Sequence, residues 1–386
     1  MSTHRLSRRS FITNTFCVAA SAVIGLPALD ALAQTQYGGP QQPRGRGQLT
    51  GGFQRQFRVP AMSMAVSKNG RFVYDRAGGM ADHQHMMQAQ LDSLFRIASL
   101  SKPITAVAIF SLIEQGKLRL TDKVFGPSGV LGLQYGKPPF MQYVADITVD
   151  HLLCHTSGGW PADASDPMLH NNGWDQGKLI SHTIANVPLT SVPGAQFIYS
   201  NFGYCILGRV IEQITGQPYA SWVEANILAP CGITTMQIGA NHERDRAATE
   251  VVYIGQYSED PYKINVLRMD STQGWIASAT QLVQFLNHVA GAPGIPAILK
   301  PETVRMMTTP VSVIPAGSPL YARGWMIAED GSWWHNGSLP GSTSLMVRTP
   351  DGACWAALCN TRTEPHDEMD SALINMMGDL ASSFSG

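Results

Sequence analysis

Strand-like segments stand at both ends of this sequence, and any fold has to bring them together across a long helical middle. The early group, "FRVPAMSMAVSKNGRFVYDRAGG", holds two such runs around Lys68-Asn69-Gly70. The Asn-Gly step there favours the tight turn of a hairpin. The late group comprises "YARGWMIAE", "SWWHNGS", "TSLMVRTPDG" and "ACWAALCNT". Between them, residues 120 to about 300 carry helical patterns such as "TVDHLLCHTSGG", "GYCILGRVIEQITG", "YASWVEANILAP" and "TQLVQFLNHVAG", joined by loops rich in Gly, Pro, Asn and Asp. The order implies an α/β (α+β) architecture: one antiparallel sheet assembled from both chain ends and flanked by helices, with a mostly helical lobe inserted at roughly 120–300. A final run from Asp367 to Phe384 sets Met369, Leu373, Met376, Met377 and Leu380 on one face of an amphipathic helix. The crevice between two such lobes is where a ligand site is expected.

The chain is 386 residues long, 44% hydrophobic and only 14% charged, a balance that suits a large globular core rather than disorder. Residues 1–33 read as an export signal, with a basic start, an apolar stretch from Phe16 to Leu26 and Ala31-Leu32-Ala33 as a cleavage site. Arg8-Arg9 within "SRRSFI" resembles the twin-arginine type, the alternative being an ordinary secretory start that happens to hold two arginines. The expected location is therefore periplasmic or secreted, in a bacterium. No other run reaches the roughly 18 apolar residues of a spanning helix, so no stable membrane insertion is expected after cleavage. The formal charge is −1 and the leader holds three arginines against Asp30, so nothing favours nucleic acid as a partner. Residues 34–52, rich in Gln, Gly and Pro, read as a flexible linker, which leaves 53–386 as a single domain. Beyond the leader, Cys154, Cys205, Cys231, Cys354 and Cys359 are dispersed in apolar segments, as small core residues would be.

Candidate chemistry begins in "FRIASLSKPITA". Ser99 precedes Lys102 by three positions at the start of a helix running from Ser101 to near Gly116, its apolar residues at helical spacing and Pro103 harmless in the first turn. A serine hydroxyl is a weak nucleophile that needs a base, and a lysine serves when burial and nearby positive charge lower its pKa. The amide of Ser99 at a helix start can also meet an oxyanion. Alone, the pattern equally fits an N-cap serine followed by a solvated lysine. In "SVPGAQFIYSNFGYCILG", Tyr199 beside an ammonium could be partly ionised and relay a proton, and Asn201 adds a carboxamide. They could instead be a buried phenol bonded to backbone and a helix cap. In "WWHNGSLPGSTS", Gly337 lets a substrate lie close to a strand edge and the Ser338 amide could be a second oxyanion donor. His335 would face the pocket to bind substrate or tune Lys102 and Tyr199; a surface histidine in a turn reads the same way. Metal chemistry is disfavoured. His151 and His155 in "HLLCH" lack a glutamate beside the first histidine, and His83 and His85 have no third ligand nearby.

In order and spacing, "FRIASLSKPITA", "PGAQFIYSNFGY" and "HNG" resemble the S-x-x-K, Y-x-N and K-T-G motifs of the serine β-lactamase and penicillin-binding superfamily. The resemblance covers nearly the whole chain beyond the leader and is nearest the class C-like branch with its esterases, D-aminopeptidases and DD-peptidases. It implies a β-lactamase/transpeptidase-like fold. Ser99 would be the acylated nucleophile, and Lys102 and Tyr199 would share general-base and general-acid duty. Asn201 would bond the substrate, and the amides of Ser99 and Ser338 would form the oxyanion hole. The family's third-motif lysine is replaced by His335, a version the resemblance associates with esterases and D-amino-acid-specific peptidases or amidases. The expectation is an exported serine hydrolase cleaving a small-molecule ester, amide or short peptide through an acyl-serine, with no cofactor and no metal. The alternatives are a β-lactamase or DD-carboxypeptidase, and a catalytically silent binder of peptidoglycan fragments.

Overall fold

The computed structural model describes residues 44–311 and 320–384, with side chains from Leu49 onward. The chain enters through helix α1 (Arg44–Gln56) and the hairpin β1 (Ala61–Lys68) and β2 (Arg71–Asp82), then short strands β3 (Met87–Gln88) and β4 (Phe95–Arg96). Asn69 and Gly70 both take positive φ, 48° and 79°, as the two-residue hairpin turn requires. Helix α2 (Ser101–Glu114) leads into the middle of the chain. This supplies α3 (Val149–Leu153), α4 (Gln176–Asn186), α5 (Asn201–Thr215), α6 (Tyr219–Val223), β5 (Gln237–Ile238), β6 (Trp275–Ala277), α7 (Ala279–Ala290) and α8 (Pro301–Thr308). The late strands are β7 (Leu320–Tyr321), β8 (Met326–Ile327), β9 (Trp333–Leu339), β10 (Ser342–Arg348) and β11 (Ala353–Cys359), and α9 (His366–Ser382) follows.

The main sheet has the order β3-β2-β1-β11-β10-β9-β8-β7, so the two chain ends meet at its centre. There β1 and β11 run antiparallel, with Met62 opposite Cys359 and Lys68 opposite Ala353. Both strands are covered on both faces, which is why they read as continuous apolar runs rather than alternating ones. Met62, Met64 and Val66 of β1 and Trp355 and Ala357 of β11 share one core with Phe53 of α1, Phe57 just beyond it, and Met369, Leu373 and Met377 of α9. Ala61, Ala65 and Ala356 face the other, larger core. Their small side chains let α7 pack directly on β1 and β11. A second sheet, β4-β6-β5, lies where the segment leading to Ser99 crosses between layers.

The antiparallel sheet built from both ends, the hairpin and the amphipathic last helix agree with the sequence reading. Two boundaries do not. Residues 44–52, read as part of a flexible linker, open α1. Phe53 and Phe57, one turn apart with ring centroids 5.0 Å from each other, are buried in the core shared with α9. That burial outweighs the poor helix preference of Gly51 and Gly52, since tertiary packing contributes more to a short helix than propensity does. The helical lobe also falls short of the expected 120–300: α7 belongs to the sheet layer, and residues 239–274 hold no α-helix among the described residues. The export signal at 1–33 and the linker positions 34–43 lie outside the described residues. No helix among the described residues is long and apolar enough to cross a membrane.

Because Phe53 is 5% exposed and fastens α1 to the sheet, Phe53→Ala should destabilise the fold by about 3 kcal/mol. The measurement is the midpoint of urea denaturation, and an unchanged midpoint would mean that α1 is not part of the cooperative unit.

Candidate active site

The segment before α2 is pinned from several sides. Arg96 of β4 donates its amide to the Tyr253 hydroxyl at 2.8 Å, and its guanidinium reaches the carbonyls of Pro261 and Ala240 at 2.6 and 2.9 Å. Two serines of β10 hold the carbonyls that follow: Ser342 Oγ donates to Arg96 O at 2.6 Å and Ser344 Oγ to Ile97 O at 2.7 Å. Ala98 then takes a φ of 48°, an uncommon conformation for a residue with a Cβ, immediately before Ser99. Ser99 occupies a 3-10 turn, Ala98–Leu100, that runs directly into α2. Gly337 of β9 lies against this turn; a Cβ there would stand 2.5 Å from Ile97 O and 3.0 Å from Ala98 Cβ. Glycine is therefore required by the approach of β9 to the serine turn.

Lys102, on the first turn of α2, is completely buried. Its Nζ lies 3.0 Å from Ser99 Oγ, 2.7 Å from Asn201 Oδ1 and 3.3 Å from Thr272 O. Two of these partners can only accept, whereas the hydroxyl can accept or donate. A neutral amine would thus keep both carbonyl contacts and receive the proton of Ser99 on its lone pair. Burial pulls the Lys102 pKa down to about 7, with the Asp166 carboxylate opposing the shift. Asp166, equally buried, accepts from Asn201 Nδ2 at 2.6 Å and caps the turn that follows by accepting from Met168 N at 2.9 Å. Burial raises its pKa to about 6 against these hydrogen bonds and the Lys102 charge.

Tyr199 precedes α5 and arrives from the helical layer. Its ring centroid is 4.9 Å from Lys102 Nζ, and its hydroxyl feels the Ser99 side chain, which favours the ionised phenol. Burial pushes the phenol well above its ordinary value. The expected partial ionisation of Tyr199 is therefore reversed: desolvation outweighs the influence of Ser99, and the phenol keeps its proton. Asn201 is the first residue of α5, but Ser200 is the cap, accepting from Gly203 N at 3.1 Å. The Asn201 carboxamide spans Lys102 and Asp166.

His335 lies inside β9, not in a surface turn, and is 1% exposed. Its Nδ1 is 2.6 Å from Asn336 O and its Nε2 is 3.3 Å from the Tyr321 hydroxyl. Burial, reinforced by the Lys102 charge, lowers its pKa to about 3. Its ring is 6.3 Å from that of Tyr199, so it faces the cluster as a neutral group. Leu339 and Ser342 flank the two-residue turn between β9 and β10 and exchange both ladder bonds, as such a turn demands. Ser338, one residue inward, then turns its amide to the opposite edge. That edge is open, because β8 pairs only with Trp333 and Trp334. The Ser338 hydroxyl is held on the far face by Arg362 at 3.2 Å.

All seven residues singled out from the sequence thus gather at one seam, with the Lys102 amine 3.0 Å from Ser99 Oγ and 4.9 Å from the centroid of the Tyr199 ring. Asp166, Thr272, Tyr321 and the β10 serines were missed; each acts through backbone or position, and no spacing marks them. His155, which the sequence sets aside as a zinc ligand and leaves as a structural histidine, has its ring 4.1 Å from that of Tyr199.

Sheet, helical layer and the serine, lysine and tyrosine at their junction define a β-lactamase/transpeptidase-type α/β protein. A family model described as Beta-lactamase matches residues 47–375, and the chain belongs to that family. Esterase EstB of Burkholderia gladioli is 31% identical over 194 residues, 46% of this chain and 47% of the esterase. Penicillin-binding protein 4* of Bacillus subtilis is 30% identical over 188 residues, 46% of this chain and 37% of that protein. The chain thus spans about half or less of these curated relatives. Among solved structures, the D-amino acid amidase from Ochrobactrum anthropi SV3 superposes with a TM-score of 0.70 at 23% identity, covering 88% of this chain and 99% of that one. That likeness is one of fold.

The Lys102 shift has a sign that stability reports independently of any reaction. The unfolded chain binds the lysine proton up to about pH 10.5 and the folded one only to about 7, so burial of the amine penalises the fold fully below pH 7 and is relieved as pH rises above it. Relative to Lys102→Met, the parent should gain at most about 1.4 kcal/mol per pH unit between pH 7 and 10. Urea denaturation of both proteins at pH 6, 7 and 9 measures this, and a constant difference would refute the depressed pKa.

Proposed function

We propose that the protein is an exported serine hydrolase that cleaves a carboxylic ester or a D-configured amino-acid amide or short peptide through an acyl-Ser99 intermediate. The observation that carries this reading is the Ser99–Lys102 contact at 3.0 Å, made by an amine poised near neutrality. Lys102 takes the Ser99 proton as the oxygen attacks the carbonyl carbon, and the amides of Ser99 and Ser338 receive the developing oxyanion. Tyr199, still protonated, hands a proton to the leaving group, and water then releases the acyl chain by the reverse sequence. The esterase and D-amino acid amidase among the related proteins support ester and amide chemistry of this kind.

The charges around the cluster favour uncharged acyl groups. His335 is neutral where the resemblance expects a lysine, and Arg362 beside Ser338 is already paired with Glu259 and with Glu364, the latter at 2.9 Å. No unpaired cation among these groups is available to a substrate carboxylate such as that of a penicillin. Export through a twin-arginine signal to the periplasm or beyond belongs to the same proposal and rests on Arg8-Arg9 and the cleavage site.

Fluorophosphonate should label Ser99 with a mass shift on its peptide, and Ser99→Ala should reduce p-nitrophenyl ester hydrolysis to background with an unchanged circular dichroism spectrum. Stable labelling by a penicillin instead would move the assignment to the lactamase or DD-peptidase alternative. Because the basic form of Lys102 is required, kcat/KM should fall as pH drops through about 7. Asp166→Asn removes the carboxylate that raises this pKa, so its acid limb should move to lower pH. A limb that stays in place would show that Lys102 is not the titrating base.

A further inference from the structure

His155 is a buried titratable group that the proposed chemistry leaves without a task. It follows α3 with a φ of 58°, is 1% exposed, and clasps Tyr199 on three sides. Its carbonyl accepts from Ile198 N at 2.7 Å and its Nδ1 accepts from Ser200 N at 3.0 Å, so both peptide neighbours of Tyr199 are bonded to it. Its ring stacks on the Tyr199 ring at 4.1 Å and 36°. Tyr204, Tyr321 and Phe197 enclose the imidazole at 5.1, 4.7 and 5.9 Å. With Nδ1 accepting, the proton of the neutral ring sits on Nε2, which has no hydrogen-bond partner. A phenylalanine would fill the same aromatic nest without an orphaned polar atom, so the imidazole must be there for its acceptor. Protonation would turn that acceptor into a donor aimed at the Ser200 amide. Burial and the charge of Lys102 keep the ring neutral, against the hydrogen bond from Ser200.

We propose that His155 is a positioning residue for Tyr199, holding the 198–200 backbone and the phenol ring so that the hydroxyl reaches both Ser99 and the leaving group. This rests on the reading of Tyr199 as the proton donor. Because Asn201 is next in the chain and contacts Lys102, the same clasp sets the register of the whole Tyr199–Asn201 segment against α2.

The role is read by leaving-group dependence, which a general loss of folding would not change. p-Nitrophenyl butyrate expels an anion that needs no proton, whereas ethyl butyrate must have its alkoxide protonated. Comparing kcat/KM for the two esters isolates acylation, since both give the same acyl-enzyme. In His155→Phe, the value for the ethyl ester should fall about 100-fold, at the lower end of what a general acid contributes, and that for the p-nitrophenyl ester less than about 3-fold. His155→Asn, whose Oδ1 can take the place of Nδ1, should restore the ratio to within about 3-fold of the parent. Tyr199→Phe serves as the reference and should show the same selective loss. Equal losses on both esters in His155→Phe beside a selective loss in Tyr199→Phe would overturn the positioning role alone. Equal losses in Tyr199→Phe would overturn the proton-donor reading, and the positioning role with it. Should His155→Phe fail to fold, His155→Asn decides by itself: a parent-like ratio supports the proposal and a collapsed ratio overturns it.

Discussion

Burial of the Lys102 amine is the constraint on which the rest of this structure depends. An ammonium removed from water without partners is costly enough that a chain either compensates it or lets it lose its proton. Here both happen in part. Two carbonyl oxygens, one from Asn201 and one from Thr272, meet the amine whichever charge it carries, and Ser99 completes the set by changing from acceptor to donor. The carboxylate of Asp166 is near enough to moderate the shift, yet separated from the amine by the Asn201 amide. Direct contact would have stabilised the ammonium and removed a base from the site.

Meeting that constraint takes material from every layer. Ser99 and Lys102 come from the turn and helix on the face of the main sheet, Asn201 and Tyr199 from the helical layer, and Thr272 from the loop entering β6. The sheet contributes through contact. Gly337 admits the serine turn to the edge of β9, and Ser342 and Ser344 tie down the carbonyls that precede it. Behind the sheet, α1 and α9 close a second core on the opposite face of β1, β10 and β11, and β10 carries the two serines. Ala98, in an unfavourable backbone conformation beside Ser99, persists because the surrounding bonds over-determine it.

The cluster is aromatic and uncharged where the related motif would bring a lysine. Tyr199, Tyr204, Tyr321, His155 and His335 pack edge to face or tilted around the amine, and their burial holds both imidazoles neutral and all three phenols protonated. In such surroundings a proton is passed between neutral donors and acceptors, and the lysine is the one basic group near its turning point at physiological pH.

By itself the sequence determined the layers and singled out the side chains that gather at their junction. The Asn69-Gly70 turn, the apolar runs at both ends and the spacing of Ser99 and Lys102 are local patterns, and local patterns survive without knowledge of the fold. It misjudged α1, because Phe53 and Phe57 make a helix only when α9 and the sheet are there to bury them. It also gave Tyr199 the wrong direction of ionisation, since a charge can be guessed from neighbours in a motif whereas desolvation depends on everything that surrounds it. Only the tertiary structure selected Asp166, Thr272 and His155, which act by being brought close from distant positions, with no spacing of their own to announce them. It also decided that His335 is a buried neutral ring, because exclusion of water is a property of the assembled seam and of no single stretch of chain.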